Sequence, residues 1–178
     1  MNVILFDNNC ANYYPLSFTR PIAYFRVGIL TIKEKWEQYY KSVSVKTADY
    51  LSAKFVLKVQ KDNLWVDGKI IPSKSLVTEL KSLRIGEALS RKGEIIAFRN
   101  STFNTKKLNI IDSNSDFNSI ENLCDIFSLN GEEIKNDFYQ MFPSKRLKWQ
   151  GDLEKLEQIK SSNVKIGNNP IWIEEGAK

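Results

Sequence analysis

Asp7, Asn8, Asn9 and Asn12 follow directly on an apolar run, and Arg20-Pro21 and Arg26 come close behind. The chain has no histidine. That excludes Ser-His-Asp and Cys-His catalysis and the usual zinc hydrolases. Cys10 and Cys124 lack metal-ligand spacing, and neither has a histidine to activate it as a nucleophile. Chemistry must therefore come from carboxylates, Lys, Arg, backbone amides or a bound divalent ion. Phosphoryl or nucleotidyl transfer fits that restriction, because positioning and charge neutralisation do most of the work there. Proline at position 21 holds Arg20 in an extended backbone, which steadies its guanidinium fork for a phosphate. The plainer alternative is a surface Arg in a turn. Arg26 is a second candidate cation.

These residues need a scaffold, and the pattern supplies one. Residues 2–6 read as a buried parallel strand, followed by a long polar loop over 7–19 and a helix over 32–40. Strand, loop and helix in that order open an α/β domain, whose ligands bind outside the carboxyl ends of the strands. The site is therefore expected at residues 7–20. Tyr13 and Tyr14 in that loop either pack it down or stack on a base. Thr31 and Glu34 form a capping box for the helix. Further on, strands are expected at 42–47 and 55–59, with a short helix at 48–54 between them. Asp67-Gly68 reads as a hairpin turn within 63–71, and a helix over 72–83 follows. Arg91-Lys92-Gly93 reads as a second hairpin, leading into a strand over 94–99. A strand at 107–112 and a helix capped by Asn130 and Glu133 and running to 141 complete the pattern. A basic, irregular connection and a short helical stretch near 153–159 lead to the tail.

The chain is 178 residues long, enough for one substantial core. No apolar run reaches membrane-span length and the N-terminus lacks signal-peptide flanks, so a cytoplasmic protein with no membrane partner is expected. The net charge of +5 and pI of about 9.1 suit a polyanionic ligand such as a nucleotide. Lys and Arg are scattered and no RNA-binding or helix-turn-helix motif appears. A solvated basic surface is thus the preferred reading over nucleic-acid binding.

Pro15-Leu16-Ser17-Phe18-Thr19-Arg20-Pro21, placed after an opening strand, resembles the second half of the sugar nucleotidyltransferase signature. The run from Val27 to Trp36 is similar to a subfamily fused to a hexapeptide-repeat domain. Pro72, the Ser82-to-Leu89 run, the Asp125-to-Asn130 run and residues 167–177 fit that subfamily too. The resemblance implies an α/β fold: a Rossmann-like nucleotidyltransferase-type mixed sheet flanked by helices, reduced in size and spanning residues 1–160. Residues 161–178 resemble the first coil of a left-handed β-helix; a closing hairpin is the alternative. One coil cannot bury its own face. The chain is accordingly expected to be a fragment of a longer protein, a homotrimer through its β-helix.

The implied reaction is Mg²⁺-assisted attack of a sugar 1-phosphate on a nucleoside triphosphate, releasing pyrophosphate. Arg20 and Arg26 would neutralise phosphates as the catalytic cations. Asp7, Asn8, Asn9, Asn12, Pro15 and Thr19 would contact the nucleotide. The family's metal-binding Asp follows a central strand, and its nearest equivalents here are Asp67 and Asp112. Two departures from the family pattern stand out. Residues 7–14 contain no glycine, with asparagines where small residues normally admit a triphosphate. The lysine of the family's P-K pair aligns with Ile22. The alternative implied by these departures is a degenerate domain that binds a nucleotide-sugar or orients a hexapeptide-repeat acyltransferase.

Overall fold

The apolar run at the start forms β1 (Asn2–Phe6), buried along its whole length because it lies between two parallel neighbours. This is a computed structural model, and it describes residues 1–142, 149–151 and 171–173. Six strands make one mixed sheet: β1, β2 (Val43–Lys46), β3 (Asn63–Asp67), β4 (Glu87–Arg91), β5 (Glu94–Asn100) and β6 (Asn109–Asp112). Their spatial order is β2-β1-β3-β5-β4-β6. Only β5 runs against the others, pairing antiparallel with both β3 and β4. The carboxyl ends of β1, β2, β3, β4 and β6 therefore lie along one edge.

Side chains alternate across the sheet and build a different layer on each face. Val3, Leu5, Leu64 and Val66 meet the helices α1 (Ile32–Glu37), α3 (Lys74–Ser82) and α4 (Leu123–Met141) through Trp36, Leu76, Leu80 and Ile126. The indole of Trp36 donates to the Ile70 carbonyl at 2.9 Å, so this large side chain is buried with its polar atom satisfied. Ile4, Phe6, Trp65, Ala88 and Phe98 form the opposite face. Phe103, from the loop after β5, caps that face with ring contacts of 5.2 Å to both Phe6 and Trp65.

Several elements differ from expectation for local reasons. The capping box is present, but α1 closes after Glu37 in tight turns from Gln38 and Tyr39 back to Lys35 and Trp36. The short helix α2 (Asp49–Ser52) forms within the expected stretch. Residues 55–59 make no strand. Asn2 and Ser44 side chains satisfy the Lys58 backbone in place of a ladder. Asp67-Gly68 is not a hairpin but the end of β3. A Cβ on Gly68 would lie 3.1 Å from the Phe6 carbonyl, so the glycine permits close approach to β1. The second hairpin is present between β4 and β5, with Lys92 and Gly93 both left-handed. Asn130 lies inside α4 and caps nothing. The helix begins instead where Asn122 accepts from the Cys124 amide and Asp125 accepts from the Asn122 amide.

The chain divides into two units, residues 1–137 and 138–178. In the second, β7 (Trp149–Gly151) pairs parallel with β8 (Ile171–Ile173). The helical stretch expected near 153–159 and the first β-helix coil expected over 161–178 lie outside the described residues, apart from β8. So does the division expected after residue 160.

Candidate functional site

The carboxyl ends of β1 and β3 bring two acids to adjacent positions, and the pleat sends them to opposite faces. Asp7 continues the Val3–Leu5 face. Its two oxygens accept from the Ile22 amide, at 2.9 Å, and from the Thr47 hydroxyl. Burial raises its pKa against the pull of those two bonds. Residues 8–21 thus leave and return at one carboxylate, and Asp7 closes the base of the loop. Both oxygens of Asp7 thus have protein partners.

Asp67 is the other acid. It ends β3 opposite Phe6 and is 1 % exposed. It accepts from the Lys69 amide at 3.1 Å and from the Asn8 side-chain amide at 3.2 Å. Neither bond is short, and burial pushes its pKa up to about 6. No cation makes a salt bridge to it among the described residues. The neighbouring lysine points elsewhere: Lys69 Nζ lies 2.7 Å from Glu121 and 3.5 Å from Glu94. Burial acts to lower the pKa of Lys69, but Glu121, Asp67 and Glu94 together leave it raised.

Over this edge the loop folds into three short 3-10 turns, Cys10–Tyr13, Leu16–Phe18 and Ile22–Tyr24. Asn9 adopts the left-handed conformation that asparagine tolerates, at φ 49°. Asn12, Pro15 and Thr19 are exposed. Thr19 donates its hydroxyl back to the Leu16 carbonyl. Cys10 is half-buried, and burial together with Asp7 raises its thiol pKa, which opposes a nucleophilic role. Tyr13 packs the loop down, donating to the Ile120 carbonyl at 2.6 Å. Tyr14 does the opposite. It stacks on Phe18 with ring centroids 4.0 Å apart and planes 9° apart, and the two rings are 48 % and 52 % exposed. Tyr50 reaches the same turn, its hydroxyl 3.4 Å from the Ser17 carbonyl.

The expected cations separate. Arg20 is exposed and makes no hydrogen bond or ion pair among the described residues. Arg26 closes a turn by donating to the Ile29 carbonyl, and its backbone bridges to Thr31. That turn is held by α4: Asn130 accepts from the Gly28 amide, and Asp137 accepts from the Ile29 and Leu30 amides. Lys35 lies buried between Glu133 and Asp137 beneath it. Asp112 accepts from Ser90 on the exposed edge strand β6, three strands from β3. At about 4.8 Å per strand that is roughly 14 Å, so Asp67 and Asp112 share no metal. No group of three or more potential metal-ligating side chains occurs among the described residues.

Sequence reasoning passed over Lys69, Thr47 and Phe18. Phe18 carries a detectable signal, since it lies four residues after Tyr14 in a polar loop. Thr47 and Lys69 carry none, because their partners are distant in sequence. No helix among the described residues is long and apolar enough to cross a membrane. Compared with known proteins, residues 3–145 match the family model described as sugar nucleotidyl transferase. No curated protein matches the chain.

Proposed function

The chain belongs to the sugar nucleotidyl transferase family, and on that premise we propose that it transfers a nucleotidyl group from a nucleoside triphosphate to a sugar 1-phosphate. Family membership implies nucleotide and sugar-phosphate substrates in general. The observation that carries the specific reading is Asp67, a buried carboxylate with no salt bridge among the described residues at the carboxyl end of the central parallel strands. Asn8 bonds it to the loop that carries Arg20, which is exposed and makes no hydrogen bond or ion pair among the described residues.

The residues fit Mg²⁺. This ion is commonly held by one or two carboxylates together with substrate phosphates, and Asp67 is such a carboxylate. Its raised pKa comes first from burial, which the Lys69 and Asn8 contacts only partly offset, so a bound cation would favour its charged form. Asp67 would hold the ion, with the Asn8 side chain alongside. The ion would contribute charge neutralisation on the phosphates.

The chain's own groups do the rest. Arg20 neutralises the triphosphate as charge moves toward the leaving pyrophosphate. The exposed Tyr14–Phe18 stack offers a flat face to the base, and its parallel geometry is one that a further ring extends. Asp7 holds the loop closed at its base. A phosphate oxygen of the sugar 1-phosphate attacks the α-phosphorus in line. One P–O bond forms to the acceptor, the bond to the β-phosphate oxygen breaks, and pyrophosphate leaves with the electron pair. No histidine is needed, because the nucleophile is already an anion.

Pyrophosphate release with a panel of nucleoside triphosphates and hexose 1-phosphates tests the reading. Turnover should require both substrates and Mg²⁺. Arg20→Ala should lower kcat/KM by about 10²–10³-fold, the scale of losing one charge-stabilising group. Absence of a nucleotide-sugar product with every pairing would refute it.

A further inference from the structure

The sheet has two edge strands, β2 and β6, and the chain treats them differently. At β2 the Ser44 hydroxyl accepts from the Lys58 amide, and Ser44 and Val45 are buried. At β6 all four residues are exposed, Ile110 at 57 % and Ile111 at 40 %. No strand among the described residues pairs with its outer side. Sheet edges are commonly blunted by Lys, Pro or a bulge, and Asn109–Asp112 carries none of these.

The backbone of β6 is half used. The strand runs parallel to β4, with the Asn109 amide donating to the Gly86 carbonyl and the Ser113 amide to the Ser90 carbonyl. Bonding direction alternates along a strand, so Asn109, Ile111 and Ser113 bond toward β4. Ile110 and Asp112 then turn their amides and carbonyls outward. The side chains alternate as well. Ile110 pairs with Ala88 and continues the face of Phe6, Trp65 and Phe98. Ile111 pairs with Leu89 and continues the face of Val3 and Leu5. Each core layer therefore ends in an exposed isoleucine.

Charge selects the partner. Lys106 and Lys107 precede the strand, Asp112 ends it and Asp116 follows, and all four are exposed. An antiparallel copy of the same strand sets the basic end against the acidic end twice over, whereas a parallel copy opposes like charges. A two-fold axis produces the antiparallel arrangement. We propose that β6 is a self-association edge, through which two copies of this chain pair antiparallel and join their six-stranded sheets into one. Ile110 exchanges backbone hydrogen bonds with the second copy's Asp112, and Ile111 faces its own counterpart across the axis. Each core layer then continues from one copy into the next. Four residues per copy form a contact smaller than the roughly 1,200 Å² of a stable interface, so the dimer is a weak one. The inference does not depend on the nucleotidyl-transfer reading.

Analytical ultracentrifugation of the full chain from about 10 μM to 1 mM tests it, with amide hydrogen exchange followed at both ends of that range. A monomer–dimer equilibrium is expected. The Ile110 and Asp112 amides should slow at high concentration, while the Asn109 and Ile111 amides, already bonded to β4, should change little. Ile110→Lys alters an exposed side chain and should weaken association about 10-fold or more. Lys106→Glu lies outside the strand, leaves its folding alone, and should weaken association several-fold. In a Cys124→Ser background, Ile111→Cys should give a disulfide-linked dimer on mild oxidation. Directly opposed residues of that kind lie about 4.5 Å apart at Cα, within disulfide reach. A chain still monomeric at about 1 mM overturns the inference and leaves the edge to a different partner. An oligomer that ignores both Ile110→Lys and Lys106→Glu also overturns it. So does one in which the Ile110 and Asp112 amides exchange as fast as in the monomer, because the copies then meet elsewhere.

Discussion

Asp67 places a carboxylate where burial opposes its charge more than the Lys69 amide, the Asn8 side chain and the Lys69 charge favour it. Its pKa of about 6 stands against an ordinary 3.8, so between roughly pH 4 and 6 the folded chain keeps a proton that the unfolded chain has released. Its contribution therefore favours folding below that window, and stability falls as pH rises through it. Asp67→Asn should flatten this dependence. It should raise stability at pH 7 by up to about 3 kcal/mol, since each pKa step is worth 1.36 kcal/mol. Urea unfolding of both proteins at pH 4 and pH 7 measures the difference; equal slopes with pH would contradict the account. The same substitution should abolish turnover, separating stability from function. At this scale the sequence is a partial guide. Arg20 is exposed and makes no hydrogen bond or ion pair among the described residues. Asp7 was singled out by its place after β1, whereas its bonds to Ile22 and Thr47, 15 and 40 positions away, carry no local signal. Asp67 reads as an acid beside a glycine, while its burial follows only from the strands on either side.

Helix α4 acts on the chain's beginning through charge. Lys35 on α1 is buried between Glu133 and Asp137, and Asp137 also receives the amides of Ile29 and Leu30. Lys35→Met should leave two buried carboxylates without their cation and cost about 3–5 kcal/mol. Chemical unfolding reads this directly, and a cost below about 1 kcal/mol would show that the cluster does not hold the turn. Gly28 belongs to the same arrangement. Its φ is +90° and an added Cβ would lie 2.6 Å from Asp137, so Gly28→Ala should also destabilise. A smaller effect is expected at the other end of the turn. Thr31→Ala removes one half of the capping box and should cost about 1 kcal/mol. The cap was legible because its partners are three residues apart. Asn130 and Glu133 show the same spacing and mislead: Asn130 reaches the Gly28 amide and Glu133 reaches Lys35, contacts about a hundred residues away. Local chemistry is readable from spacing, and tertiary partners override it where the helix is already formed.

For the molecule, one edge of one sheet gathers the groups on which the proposed reaction rests. Asp67 and the loop over residues 8–21 both lie at the carboxyl ends of the strands, as the α/β pattern predicts. The hairpin at Arg91-Lys92-Gly93 made β5 antiparallel to β4 legible, but the order β2-β1-β3-β5-β4-β6 was not, because no local signal places β5 beside β3. A net charge of +5 favours polyanionic substrates at such an edge. The central claim is that nucleoside triphosphate binds there through Arg20 and Asp67. Isothermal titration of the five common nucleoside triphosphates with Mg²⁺, against the wild-type chain, Arg20→Ala and Asp67→Asn, tests it most directly. The account predicts saturable binding of at least one nucleotide, weakened about 10-fold or more in Arg20→Ala and no longer Mg²⁺-dependent in Asp67→Asn. Folded protein that binds no nucleotide, or binds it equally well in all three forms, would contradict it.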